Sequence, residues 1–428
     1  MMTTSLTPRS RSRLSLAMGA ALCAGLLAVP VAATAGPPDH AGGPGKGQNA
    51  SSQRGSLPPG LAKKDTLRDA APSSVRIGTA VAGGGHHEAE DYPEPFPNDQ
   101  EYRAFVAANF SSITPENQMK WEYLRPSQDE FNFTASDDIV SFAAQHGQHV
   151  RGHALLWHSQ NPEWLLQGDF TDDELREILR DHIHTVVGRY AGQIQHWEVT
   201  NEIFTDGPNP QLRSENIFLD RLGPEIIADA FRWAHEADPR AVLYMNDYNV
   251  DGINPKSNAY YALIQELLAD GVPIHGFGSQ HHLGLQYGFS ADSMAANFAR
   301  FGALGLETAV TEIDVRGYVD DADVLDHTHP QMRGRDRQTQ ADWYSDALAV
   351  CLGESSCTSF TVWGVLDEHS WVPNTFAGQG DALLLEGDYD RKPAFCAIQQ
   401  TLVEANPGGS ARWVNHPAYQ ACRDLQAG

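Results

Sequence analysis

The sequence predicts a (β/α)₈ barrel, one α/β domain in which eight parallel strands close inside a ring of helices. Three observations lead there. Short apolar runs of strand length alternate with helical patterns from Val75 to Asp367, which fits repeated strand–helix units better than a doubly wound sheet. Residues that carry chemistry gather at or just past the C-terminal ends of those runs, the face on which barrel sites are built. They are Glu116, Asn117, His153, Trp157, Asn201, Glu202, Asp247, Tyr248, Gln280, His282, Glu312, Asp314 and Trp363. Finally, 428 residues at 41% hydrophobic content can bury one large core.

In chain order, Arg9, Arg11 and Arg13 precede an apolar run from Leu14 to Val31. Ala33-Thr34-Ala35 is then a small-residue cleavage site before Gly36, so residues 1–35 read as a secretory signal peptide. The run is short, rich in Ala and Gly and interrupted by Pro30, which argues against a membrane anchor. Leu22 before Cys23 argues against a lipoprotein site. From Gly36 to Pro72, Gly, Pro, Ser, Lys and Gln dominate. The run Gly42-Gly43-Pro44-Gly45-Lys46-Gly47 cannot bury a core, so residues 36–72 are expected to be a disordered linker.

Residues 73–428 are expected to form the barrel and a C-terminal tail. The expected strands are Val75–Val81, Phe110–Thr114, His149–Trp157, Ile194–Glu202, Ala241–Tyr248, Ile274–Leu283, Thr308–Val315 and Ser359–Asp367. Among the helices, Asp173–Tyr190 places Leu175, Ile178, Leu179, Ile183, Val186 and Val187 on one face. Glu225–Glu236, Ser257–Asp270, Ala291–Leu304 and Gln338–Leu352 are also expected to be helical.

The formal charge is −25, and loss of the three signal-peptide arginines takes it to −28. So acidic a surface argues against nucleic acid and anionic membrane as partners. No later stretch is apolar enough to span a bilayer. The expectation is a secreted, extracellular protein, monomeric, with no cofactor and no metal. After the signal is removed, Cys351, Cys357, Cys396 and Cys422 remain. Four cysteines can pair in three ways, and disulfides are the default in an exported protein. Cys351 and Cys357 flank the turn-like Gly353-Glu354-Ser355-Ser356, which favours a local bridge and leaves Cys396 for Cys422.

The stretch His196-Trp197-Glu198-Val199-Thr200-Asn201-Glu202 reads as a buried strand ending in an amide beside a carboxylate. Such groups are costly to desolvate and need a reason. Glu312, near the end of the seventh strand, is the second carboxylate. In a barrel the two ends converge on one cleft, and two carboxylates there suit acid/base and nucleophilic work on a glycosidic bond. A structural ion pair is the alternative, but no Lys or Arg accompanies Glu202 on its strand.

Several motifs in one order resemble the family 10 glycoside hydrolases, typically secreted endo-β-1,4-xylanases. They are Thr114-Pro115-Glu116-Asn117-Gln118-Met119-Lys120-Trp121, Gly152-His153-Ala154-Leu155-Leu156-Trp157-His158, Trp197-Glu198-Val199-Thr200-Asn201-Glu202, Asn246-Asp247-Tyr248-Asn249, Gly278-Ser279-Gln280-His281-His282-Leu283, Thr311-Glu312-Ile313-Asp314, and Val362-Trp363-Gly364-Val365 with Ser370-Trp371. The resemblance runs from about Ile77 to Leu402 and implies a retaining endo-β-1,4-xylanase acting on xylan. It implies that Glu202 is the general acid/base and Glu312 the nucleophile. Glu116, Asn117 and Lys120 then contact non-reducing-side hydroxyls, and Tyr248 is a leaving-group-side platform. His153, Trp157, Asn201, Gln280, His282, Trp363 and Trp371 line the reactive sugar; Gln160 also binds substrate, and Asp314 is a supporting residue.

Two departures stand out. Glu198 replaces the Asp usual before the Asn-Glu pair, followed by Thr200 where Val is common; the extra methylene predicts rearranged hydrogen bonding. The loop Gly83–Asp91, with His86, His87, Glu88 and Glu90, is unusual, but it is not a His-Glu-x-x-His metal pattern and reads as a solvated loop. Another β-glycoside of plant origin is the alternative substrate. A non-catalytic carbohydrate-binding barrel is the alternative class, against which the retention of both carboxylates argues.

Overall fold

The computed structural model describes residues 66–84, 93–320, 330–406 and Cys422. The expected signal peptide, linker residues 36–65, the Gly85–Asp91 part of the unusual loop and the tail beyond 406, Cys422 excepted, lie outside the described residues.

Ten strands are described: β1 (Arg76–Val81), β2 (Ser112–Pro115), β3 (His149–Gly152), β4 (His196–Asn201), β5 (Val242–Asp247), β6 (Gly276–Ser279), β7 (His282–Gly284), β8 (Glu307–Tyr318), β9 (Cys357–Val362) and β10 (Gln379–Gly380). Eight of them pair in parallel around a closed circle, β1-β2-β3-β4-β5-β6-β8-β9, and β9 returns to β1 with Ile77 opposite Phe360. This is the expected (β/α)₈ barrel.

Helices between the strands bury their apolar stripes against the barrel wall. Asp172–Arg189 opens with a capping box, Thr171 and Glu174 satisfying each other's exposed backbone N–H groups. It buries all six apolar residues expected of it. Glu225–Ala237 buries Ile226, Ile227, Ala230, Phe231 and Ala234. Pro255–Ala269, Ala291–Gly302 and Gly334–Gly353 match the other expected helices within a few residues.

Five expectations need correction. Leu67–Ala70, placed in the linker, is a helical turn capped by Thr66, with Leu67 and Ala70 fully buried; the folded unit therefore starts upstream of residue 73. β3 ends at Gly152 rather than Trp157. Its continuation still follows β4, because Leu155 and Leu156 donate to the Glu198 and Val199 carbonyls at 3.0 Å, but irregularly. The sixth strand is broken at His281, whose φ of 59° turns the backbone, so β6 and β7 are separate. β9 stops at Val362, before Gly364 at φ 132°. β8, in turn, runs three residues past the expected Val315, because β7 and β10 pair with its outer half.

The disulfides Cys351–Cys357 and Cys396–Cys422 are both formed, as expected, closing loops with sequence separations of 6 and 26. Restriction of the unfolded chain grows with loop length, giving about 2 kcal/mol for the short loop and about 3.5 kcal/mol for the long one. The double variant Cys396→Ala/Cys422→Ala should therefore lose more stability than Cys351→Ala/Cys357→Ala, read as the drop in urea midpoint.

Candidate active site

Glu202 follows the fully buried β4 directly. Its φ of 54° is the left-handed conformation that non-glycine residues rarely adopt, held here by its N–H donating to the Asn246 carbonyl at 2.9 Å. The turn delivers the carboxylate to the cleft, 13% exposed. Gln280 donates from Nε2 to Glu202 Oε1 at 3.0 Å and to Asn201 Oδ1 at 3.1 Å. Asn201 Nδ2 lies 3.4 Å from Glu202 Oε1, and His158 Nδ1 lies 3.8 Å from Oε2.

Glu312 sits on β8 and is 3% exposed. Asn246 Nδ2 donates to its Oε1 at 2.7 Å, and His282 Nε2 reaches Oε2 at 3.2 Å. Behind it, His282 Nδ1 bonds Asp314 Oδ2 at 2.7 Å, and Trp371 Nε1 donates to the same oxygen at 2.8 Å. Burial alone would lower the His282 pKa. The charges and hydrogen bonds of Asp314 and Glu312 overcome it and raise the pKa to about 10, so the ring is an imidazolium with both N–H groups engaged. For Glu312 burial pushes the pKa up, but His153, His282 and Asn246 together hold it below the ordinary glutamate value. The two carboxylates thus sit in unlike surroundings. One is enclosed among donors and ionised; the other is nearer the solvent and held by amides.

Glu198 answers the departure noted in its motif. Fully buried, its carboxylate takes a 2.6 Å bond from His153 Nδ1, a 3.2 Å contact from Asn246 Nδ2 and the charge of Arg151 at 3.6 Å. With Nδ1–H pinned, His153 presents its other ring edge to the cleft. His153, Glu198 and Glu312 are the one group among the described residues whose donor atoms, all within 4.8 Å, could hold a metal ion. His153 and Glu198 share a short hydrogen bond at 2.6 Å.

These groups open into a cavity of about 640 Å³. Glu116, Lys120, His153, Trp157, Gln160, Glu202, Tyr248, Gln280, His282, Glu312, Trp363 and Trp371 all line it. Lys120 bonds Asn117 Oδ1 at 2.9 Å and Gln160 Oε1 at 2.7 Å, and lies 4.9 Å from the Trp157 ring. Burial lowers its pKa, with Glu116, Glu312 and Glu202 opposing. The Tyr248 hydroxyl is clamped between Arg213 and Asp206 at 2.6 Å each, with Lys256 Nζ 3.7 Å from its ring centre. Trp371 and Trp363 flank His282, with ring centroids 4.8 and 6.2 Å away.

Three predicted residues do not line the cavity. Asn117, Asn201 and Asp314 are fully buried and instead contact Lys120, Glu202 and His282. Sequence reasoning assigned no role to Asn246, although it stands inside a quoted motif. It also passed over Arg316 and Phe376, which line the wall beyond Trp371. The alternation Glu312-Ile313-Asp314-Val315-Arg316 was the available signal for Arg316.

Two carboxylates of unlike environment, lining one cleft of aromatic rings and amides at the C-terminal face of a barrel, define a glycoside hydrolase site. Residues 66–401 match glycosyl hydrolase family 10, and the chain belongs to that family. It is 37% identical over 308 residues to endo-1,4-beta-xylanase B of Thermotoga neapolitana, covering 72% of this chain and 85% of that protein. With an endo-1,4-beta-xylanase of Agaricus bisporus it shares 35% over 344 residues, 80% of this chain and 95% of the other. Among solved structures, native xylanase 10B from Thermotoga maritima superposes with a TM-score of 0.71 at 36% identity, covering 79% of this chain and 98% of that one. Xylanase 10B of Thermotoga petrophila RKU-1, in complex with xylobiose, also gives 0.71 at 36% identity, covering 79% and 97%.

The geometry around Glu312 makes a pH prediction. His282 lowers the Glu312 pKa by its hydrogen bond and charge. Removing both in His282→Asn must raise it, so Glu312 should titrate at higher pH, read by carboxyl-carbon NMR. The acid limb of kcat/KM should move to higher pH with it.

Proposed function

We propose that the chain is a secreted, retaining endo-β-1,4-xylanase that cuts internal bonds of xylan by double displacement. The observation that carries this is the placement of Glu202 and Glu312 in one cleft, in unlike surroundings, on a chain of family 10. Relatives named as endo-1,4-beta-xylanases, and a solved relative holding xylobiose, support xylan as the substrate.

In the first step the Glu312 carboxylate attacks the anomeric carbon. A glycosyl ester forms, the glycosidic C–O bond breaks, and the Glu202 carboxyl gives its proton to the leaving oxygen. In the second, Glu202 takes a proton from water. The water oxygen attacks the same carbon, the ester breaks, and both carboxylates return to their starting forms. Glu116, Asn117, Lys120 and Gln160 form the polar side that reads hydroxyls. Trp157, Trp363 and Trp371 offer flat apolar faces to sugar rings, and Tyr248 does so on the leaving-group side. His153 and His282 meet the reactive sugar; Asn201 and Gln280 orient Glu202, and Asp314 orients His282. The N-terminal composition supports export with cleavage near Gly36 and a linker before the catalytic domain.

Two measurements test the mechanism. Early-time NMR of xylan hydrolysis should show the β-anomer first, and an α-anomer would mean inversion. General acid help is worth about 10²–10⁴-fold, but a nitrophenolate leaves without it. Glu202→Ala should thus nearly stop xylan hydrolysis yet give a burst of nitrophenol from an aryl β-xyloside, then turn over slowly. Glu312→Ala should give no burst. Bursts in the opposite pair would reverse the roles, and near-normal xylan hydrolysis in both variants would end the reading.

A further inference from the structure

β8 carries one polar side chain more toward the cleft than the proposed chemistry uses. Glu312, Asp314 and Arg316 alternate along it and share one face, and Arg316 stands roughly 13 Å along the strand from Glu312. Its backbone is fixed on both sides. Gly284 of β7 is its register partner, Leu285 donates to its carbonyl at 3.0 Å, and the next two residues pair with β10.

The guanidinium is held as firmly. Nη1 donates to the His282 carbonyl at 3.0 Å, and Cζ lies 3.8 Å from the centre of the Phe376 ring. The side chain lines the cavity and is 6% exposed. Yet among the described residues its buried Nε–H has no hydrogen-bond partner and the side chain forms no ion pair. Of the other buried cations, Lys256 and Lys392 each sit against a carboxylate, whereas Lys120 in the same cleft is held by amide oxygens. Among the described residues, one cleft-facing guanidinium is thus left without an ion pair. Burial of an unpaired charge is costly, and it lowers the Arg316 pKa, with Asp314 opposing.

We propose that Arg316 binds a carboxylate carried by the polysaccharide, a uronic acid branch on the xylan backbone. The inference rests on the xylan reading of the cleft. A carboxylate is planar and offers two acceptor oxygens to the fork of a guanidinium. A neutral sugar hydroxyl would leave the charge unbalanced. Because Arg316 sits on a strand paired on both edges, the fork is positioned before substrate arrives.

The test uses two xylo-oligosaccharides of equal backbone length, one with a single uronic acid branch and one with none. The readout is the ratio of their kcat/KM values. Arg316→Met keeps an apolar stem against Phe376 and removes the charge. The acidic-to-neutral ratio should fall about tenfold or more, the size expected for a charge-assisted hydrogen bond. Arg316→Lys keeps charge without the fork and should fall between, and it carries the test alone if the methionine variant does not fold. Added salt should lower the ratio for the native enzyme and leave it unchanged in Arg316→Met. An equal fall on both substrates would mean that Arg316 only props Phe376, and the proposal would be overturned. A native enzyme that cuts the neutral oligosaccharide and rejects the acidic one would overturn it too, leaving the xylan reading intact. A native enzyme that cuts neither would overturn the xylan reading and this inference together.

Discussion

A negative charge buried at the centre of the barrel mouth is the constraint around which this structure is arranged. Glu312 is 3% exposed, and a carboxylate so enclosed stays ionised only if donors replace the water it lost. His282 and Asn246 are those donors, and each must itself be held. Asp314 keeps His282 charged, Trp371 holds Asp314, and Thr311 fixes the Asn246 amide by donating to its Oδ1 at 2.7 Å. Asn246 Nδ2 lies 3.0 Å from Asn201 Oδ1, so the surroundings of Glu312 are joined to those of Glu202. Moving any member disturbs both carboxylates.

The polar chain continues into the barrel. His153 meets Glu198, Glu198 meets Arg151, and the Arg151 guanidinium lies 4.5 Å from the Tyr244 ring centre. Such charged groups are tolerated in a closed parallel barrel because opposite charges are paired there. Glu198 is the clearest case. Its added methylene, read in the sequence as a disturbance, ends in a 2.6 Å bond to His153. The outer half of β8 extends the same economy beyond the barrel rim, where pairing with β7 and β10 makes a rigid wall out of what could have been a loop.

Much of this was legible from residues near one another in the chain. Alternation of strand and helix patterns, Asn201 before Glu202, Glu312 before Asp314, the paired histidines after Gln280 and the spacing of four cysteines are local signals. They led to the barrel, to the carboxylate pair, to most of the cleft lining and to both disulfides. What remained hidden depends on distance in sequence. The role of Asn246 is set by partners 45, 48 and 66 residues away. The length of β8 is set by two neighbours that only the folded chain supplies, and the burial of Leu67 by packing against later elements. The sequence by itself determined which side chains could do the chemistry and which strand ends would carry them, because periodicity and residue type are properties of short segments. Only the tertiary structure decided which charges are paired and which, like Arg316 among the described residues, are not, because a charge is balanced by whatever folding brings within a few ångströms of it.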